Sequence, residues 1–163
     1  MSLLNNKSVK KVRAALAEAG FDDTVIELEK TARSAEDAAK SLGVELGSIV
    51  KSLVFAIDKR FVVALLAGDH KCKEENLPRA VNLEGAVSLP GAEAVRGATG
   101  FSIGGVPPVG LPDNLPMVID TTLKRFEVVY AAAGHPHCIF ATTVPDLKRM
   151  TGAIVSYNIS EPI

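Results

Sequence analysis

Residues 49–67 read IVKSLVFAIDKRFVVALLA: one run of β-branched, aromatic and aliphatic residues from Ile49 to Ile57, a polar break at Asp58-Lys59-Arg60, and a second run from Phe61 to Ala67. Two such runs around a short polar turn specify a β-hairpin. Each arm is apolar at successive rather than alternate positions, so both of its faces must be covered. The hairpin therefore belongs at the centre of the fold, and other elements must be arranged around it. Lys51 lies inside its first arm. An unpaired ammonium in so apolar a setting is costly to bury, and it needs an anionic partner or an opening. Two readings follow: a stem packed on the sheet with its head reaching water, or a charge kept for a ligand.

Around the hairpin the pattern is mixed. Val9, Val12, Leu16 and Ala19 share one face of a helix that Ser8 would cap and Gly20 would stop. A short strand over 24–28 precedes a second helix, which opens on the capping-box pattern Ser34-Ala35-Glu36-Asp37 and ends at Gly43. Helical patterns are expected near 70–79, 91–98 and 145–151, with strands near 116–120, 127–132, 137–142 and 153–157. Strands and helices do not alternate regularly, which predicts an α+β fold. The expected architecture is a mixed β-sheet, open or barrel-like, surrounded by helices. A length of 163 residues, 47% of them hydrophobic, and a mean hydropathy of +0.21 suit one domain over 1–163 with a full core.

The second distinctive stretch is Thr99-Gly100-Phe101-Ser102-Ile103-Gly104-Gly105-Val106-Pro107-Pro108-Val109-Gly110. Glycine lets main chain approach a ligand with its N–H groups exposed, while adjacent prolines fix φ and remove two donors. A stiff wall beside an open floor suits a substrate loop. It equally suits a tight connection between strands. No G-K-[ST] ending or GxGxxG spacing marks it as a phosphate cradle.

Eighteen basic and 19 acidic residues leave a formal charge of −1, so the overall field offers no strong nonspecific attraction to nucleic acid, and DNA is not an expected partner. Basic residues group at Lys7-Lys10-Lys11-Arg13 and at Lys71-Lys73-Arg79, as solvated helix faces or local phosphate contacts. Cys72 and Cys138 make neither a disulfide framework nor a C-x-x-C pair. No basic-then-apolar leader opens the sequence, and no apolar run approaches the roughly 18 residues that span a bilayer. A cytoplasmic protein with no membrane partner is expected.

His135-Pro136-His137-Cys138 follows an apolar strand and a glycine, a place for a pocket rim with a proton carrier or for a pair of turn histidines. These residues with His70 and Cys72 lack the spacing of a zinc site, so no metal and no cofactor are expected. Ser102 has no G-x-S-x-G elbow around it. The two cysteines read more readily as small buried hydrophobes than as nucleophiles.

Taken together, Ile49-Val50-Lys51-Ser52-Leu53-Val54-Phe55 and Gly104 to Pro108 resemble the YbaK/ProX family of aminoacyl-tRNA deacylases, whose fold also occurs as the editing domain of bacterial prolyl-tRNA synthetases. Family members carry a lysine in that strand and a G-x-x-x-P loop, matched here by Lys51 and by Gly104 and Pro108. The resemblance runs from the helix near residue 8 to Leu147-Lys148-Arg149-Met150-Thr151-Gly152. It implies hydrolysis, in trans, of the ester of a mischarged tRNA, most naturally tRNA(Pro) bearing alanine, serine, cysteine or 2-aminobutyrate. Its implied catalytic residues are Lys51, at the terminal phosphate or ester end, and Gly104 and Gly105, as a clamp on the scissile carbonyl. Ser52, Phe101, Ser102, Val106, Pro107, Pro108 and His137 are the implied substrate-binding residues. The implied partners are the tRNA acceptor end and prolyl-tRNA synthetase. The cysteine-releasing branch implies a basic residue where Ile103 stands, and the alanine-releasing branch an asparagine where Ser52 stands, so neither assignment transfers. A noncatalytic module that holds an aminoacyl-tRNA or a synthetase is the other reading of the same fold.

Overall fold

The computed structural model of the chain describes residues 2–29 and 34–163. Its centre is the hairpin of β2 (Ile49–Ile57) and β3 (Arg60–Ala67), paired antiparallel along its whole length from Val50↔Ala67 to Ile57↔Arg60. The turn is Asp58-Lys59 alone, with Asp58 at φ +53, so Arg60 joins the strand rather than the turn. The remaining strands are β1 (Val25–Glu27), β4 (His70–Cys72), β5 (Val87–Ser88), β6 (Met117–Asp120), β7 (Val129–His135), β8 (Cys138–Thr142), β9 (Ile154–Ser156) and β10 (Ser160–Pro162). The main sheet runs β1-β8-β7-β2-β3-β6-β9, with β5 also on β2, while β10 and β4 form a separate pair. Both parallel and antiparallel neighbours occur: β2–β7, β3–β6 and β6–β9 are parallel and the others antiparallel. The expected α+β fold with a mixed sheet is thus present, and among the described residues β1 and β9 do not pair to close it.

The helices are α1 (Lys7–Glu18), α2 (Ala35–Leu42), α3 (Leu77–Ala80), α4 (Ala92–Thr99) and α5 (Val144–Thr151). Helix α1 buries Val9, Val12 and Leu16 as its periodicity requires, but its cap is Asn6 rather than Ser8. The Asn6 side chain accepts from the Ser8 and Val9 N–H groups at 2.9 and 3.4 Å, so the helix begins at Lys7, earlier than a Ser8 cap would allow. Helix α2 follows its expected signals: Ser34 accepts from the Asp37 N–H at 3.1 Å, and Gly43 closes the helix at φ +69. The stretch 70–79 is not one helix. His70–Cys72 pairs with Ser160–Pro162 as a strand, and only a 3₁₀ turn and the short α3 follow; long-range pairing overrides local helical pattern there.

The two faces of the hairpin bury separate cores. Val50, Val54, Val63, Leu65 and Ala67 point into the larger one, with α1, Phe101 and Val106, whereas Phe55, Ile57, Val62, Ala64 and Leu66 point into a second with Leu77 and Ile159. That is why the arms are apolar at successive positions. At the end of β7 the register with β8 shifts between Ala132 and His135, a bulge at which Gly134 takes φ +92. A Cβ on Gly134 would lie 2.7 Å from the Ser8 carbonyl oxygen. A Cβ on Gly105 would lie 3.0 Å from the Gly134 carbonyl. Two glycines thereby let α1, the bulge and the 100–110 loop stack main chain on main chain.

Gly134→Ala should lower stability by about 2 kcal/mol or more, since it adds left-handed strain and a clash. Gly152→Ala, at φ +67 with open space around it, should cost about 1 kcal/mol. Urea denaturation of the two variants checks the difference, and equal losses would contradict the stacking.

Candidate functional site

A cavity of about 430 Å³ lies where the main sheet is interrupted. Strand β2 pairs with β7 only at Ile49 and Val50, and with β5 only at Ala56 and Ile57. Lys51, Ser52, Leu53 and Val54 lie between those pairings and line the cavity. Its walls come from α2 (Ala35, Ala38), β7 (Tyr130, Ala132), the segment after β5 (Leu89, Pro90), α4 (Val95) and the glycine-proline loop (Ile103, Gly104, Val106). Leu89 and Ile103 are exposed large hydrophobics at its rim.

The direction of each main-chain group on β2 follows from its register. A two-residue hairpin makes Ile57↔Arg60 a hydrogen-bonded pair, and alternate residues then bond to β3. The Gly68 N–H donates to the Ile49 carbonyl at 2.8 Å and the Asp58 N–H to the Ala86 carbonyl at 2.9 Å, which fixes the same parity from both ends. Ile49, Lys51, Leu53, Phe55 and Ile57 bond toward β3; Val50, Ser52, Val54 and Ala56 bond away from it. Val50 meets β7 and Ala56 meets β5. The N–H and C=O groups of Ser52 and Val54 therefore face the interruption. The Ser52 hydroxyl is buried and has no hydrogen-bond partner among the described residues.

Lys51 and the loop reach this cavity from opposite faces of β2. The Lys51 side chain shares a face with Leu53 and Phe55, whereas Gly104 and Val106 lie on the side toward which Val50, Ser52 and Val54 point. The Lys51 ammonium donates a short hydrogen bond to the His70 carbonyl. Burial lowers its pKa, and the neighbouring Asp69 works in the opposite direction. Asp69 is itself engaged by Arg125 through two bonds of 2.9 and 2.7 Å, and that guanidinium holds its carboxyl below the usual range. The His70 ring is tied down behind its carbonyl. Ser160 Oγ donates to Asp120 Oδ2 at 2.6 Å, leaving it to accept from His70 Nδ1 at 2.9 Å, so the imidazole carries its proton on Nδ1. Asp120, 1% exposed, also takes the Thr122 hydroxyl at 2.6 Å.

Gly104 has φ +89 and faces Pro136, whose Cγ would be 3.7 Å from an added Cβ. Gly105 is turned away. Its N–H donates to the Ser102 carbonyl at 3.0 Å, so this donor is spent within the loop, and Ile103, Gly104 and Val106 are the loop residues that line the cavity. Phe101, 1% exposed, is core beneath the Lys11 ammonium, which sits 5.0 Å from the ring centroid. Ser102 is exposed and accepts from Arg96 Nη1 at 3.3 Å; Pro107 and Pro108 are buried in the loop's base. His137 follows Pro136, which lines the cavity, but does not line it itself. Its N–H donates to His135 Nδ1 at 3.1 Å, and the rings meet edge to face at 5.1 Å. Burial, then the neighbouring His137, lowers the His135 pKa. Burial pushes the thiols of Cys72 and Cys138 up to about 12 and about 11, which keeps both protonated and poorly nucleophilic. Among the described residues no three acidic, histidine or cysteine side chains cluster as a metal site, and no helix is long and apolar enough to cross a membrane.

The α2 wall and Tyr130, Ala132, Leu89, Pro90 and Val95 are absent from the residues expected from sequence. Small and aliphatic side chains on separate elements carry no local signal; only the fold assembles them.

A fold with this lysine strand and glycine loop is that of aminoacyl-tRNA editing domains, and the profile of that family matches residues 29–150. The chain belongs to the aminoacyl-tRNA editing domain family. It is similar to a solved structure described as a candidate trans-editing enzyme for prolyl tRNA synthetase, with a TM-score of 0.88, 38% identity, and coverage of 96% of this chain and 98% of that one. The uncharacterized protein YwhH of Bacillus subtilis (strain 168) is 30% identical over 145 residues, which are 88% of this chain and 91% of that protein. The proline–tRNA ligase of Lysinibacillus sphaericus (strain C3-41) is 34% identical over 116 residues, 69% of this chain but 20% of the ligase. The similarity to that ligase is thus confined to about a fifth of its length.

Lys51 should titrate below the exposed lysines. After reductive ¹³C-methylation, its NMR resonance, assigned with Lys51→Met, should move first as pH rises toward 10.5. Because the folded pKa is lowered, wild-type stability relative to Lys51→Met should increase through that window. Simultaneous titration of all lysines would contradict the burial.

Proposed function

We propose that this protein is a free-standing aminoacyl-tRNA deacylase that hydrolyses the ester of a mischarged tRNA, with tRNA(Pro) carrying alanine, serine, cysteine or 2-aminobutyrate as the substrate class. The observation that carries this reading is that Lys51, Ser52, Gly104 and Val106 line one cavity in a chain of the editing family. The likeness to a solved structure described as a candidate trans-editing enzyme, at a TM-score of 0.88, supports an editing activity.

Water attacks the ester carbonyl; the acyl–oxygen bond breaks, releasing the free amino acid and a ribose hydroxyl. An aminoacyl ester is already activated, so positioning and stabilisation of the oxyanion suffice, and the neighbouring ribose hydroxyl can orient the water. The Gly104 and Val106 main chain supplies the clamp, and Gly105 allows the close packing that holds it. The Lys51 ammonium, anchored on the His70 carbonyl, meets the phosphate or ribose end. Thiols held protonated, one buried and one partly buried, support a mechanism without a cysteine nucleophile. The cavity is mostly apolar and suits a small side chain. Editing of this kind supplies discrimination that synthetase binding cannot, since one methylene is worth only about 1–3 kcal/mol.

Purified protein should release free amino acid from at least one member of a panel of tRNA(Pro) charged with the four candidates. Lys51→Ala should lower the rate strongly while circular dichroism shows a retained fold. Gly104→Val should lower single-turnover rates by about 10²–10³, the usual loss for an oxyanion donor, whereas Cys72→Ser and Cys138→Ser should leave them near wild type. Tight binding of aminoacyl-tRNA with no hydrolysis anywhere in the panel would instead establish a noncatalytic module. Loss of activity in a serine variant with a functional Gly104→Val would establish a thiol mechanism.

A further inference from the structure

The interruption beside β2 is short. Between the last contact with β7 at Val50 and the first with β5 at Ala56, two residues, Ser52 and Val54, direct main-chain groups outward. Both ends are closed by existing strands. An extended peptide added to a sheet edge needs a longer free run, so the edge suits a shorter unit that carries one donor and one acceptor at the spacing of a residue's own N and C=O.

We propose, resting on the deacylase reading above, that the aminoacyl group docks on this edge as a one-residue β-strand opposite Ser52. Its α-ammonium donates to the Ser52 carbonyl, and its ester carbonyl accepts from the Ser52 N–H. In an antiparallel hydrogen-bonded pair two residues exchange both bonds in this way. A carbonyl oxygen has two lone pairs, so the second stays available to the Gly104–Val106 clamp. Directly paired residues project side chains to the same face. The acyl side chain then lies beside the Ser52 side chain, on the face that holds Val95 and Val106. Ser52 thereby becomes the residue against which acyl size is measured, and recognition of the α-amine falls to main chain that no substitution removes. Among the described residues the buried Ser52 hydroxyl has no hydrogen-bond partner, so valine at this position breaks none of the bonds described.

The test uses binding, so that it stands apart from turnover. Three short RNA hairpins ending in CCA carry a 3′-amide-linked alanyl, lactyl or propionyl group: an ammonium, a neutral donor, and neither. Wild-type protein should bind the alanyl RNA about 10–10² times more tightly than the propionyl RNA, the usual worth of a hydrogen bond to a charged group, with lactyl RNA in between. Ser52→Val should keep that order while weakening a 2-aminobutyryl RNA more than the alanyl RNA, by about tenfold. Equal affinity for alanyl and propionyl RNA, no affinity for either, or lactyl RNA no better than propionyl RNA would overturn the docking. A size response unchanged in Ser52→Val would overturn the register opposite Ser52. The alanyl preference without hydrolysis of any ester substrate would instead remove the deacylase reading and leave the docking edge standing.

Discussion

The pairing of β2 with β3 is the constraint on which the rest of the structure depends. Once Ile57 and Arg60 close a two-residue turn, the direction of every main-chain group and side chain on β2 is set back to Ile49. One parity sends Val50 and Val54 into the core under α1, and the other sends Phe55 and Ile57 into the core over α3. The same alternation separates Lys51 from Ser52 although they are adjacent. A shift of one residue would exchange the two cores and move the lysine to the loop's side. Register is therefore as much a property of the candidate site as of the fold.

Much of this was legible in the sequence where the signal is local. The continuous apolar arms announced a doubly covered hairpin, and Ser34 and Gly43 marked the ends of α2. Segments decided by distant partners were not legible. His70–Cys72 becomes a strand because Ser160–Pro162 lies against it, and the two-residue β5 exists only as a cap on the end of β2. For the site, the lysine strand and glycine loop were readable as motifs, and both reach the cavity. Which loop residue offers a donor was not, because the Gly105 N–H is taken by a turn to Ser102 that no residue type reveals. The interruption in the sheet was equally invisible, since it reflects where β7 and β5 stop rather than what β2 contains.

Besides its buried side chains, the loop is held by contacts of main chain alone. Ser8 main chain meets Gly134, and Gly134 main chain meets Gly105. Such a stack is stiff because interiors at this density have little room to give. It fixes the loop relative to β7, and hence Gly104 relative to the β2 edge, without placing any functional group at the contact. Ile103 and Val106, on either side of the glycine pair, remain free to vary the cavity wall.

A lysine anchored on a carbonyl dipole keeps its whole charge, whereas one anchored on a carboxylate is neutralised. Asp69 is the acid near enough to influence the Lys51 ammonium, and Arg125 occupies both of its oxygens. The ammonium bonds to the His70 carbonyl instead. Arg125 is not among the residues that line the cavity, yet by holding both oxygens of the nearby acid it leaves the lysine hydrogen-bonded to a neutral carbonyl rather than paired with a carboxylate.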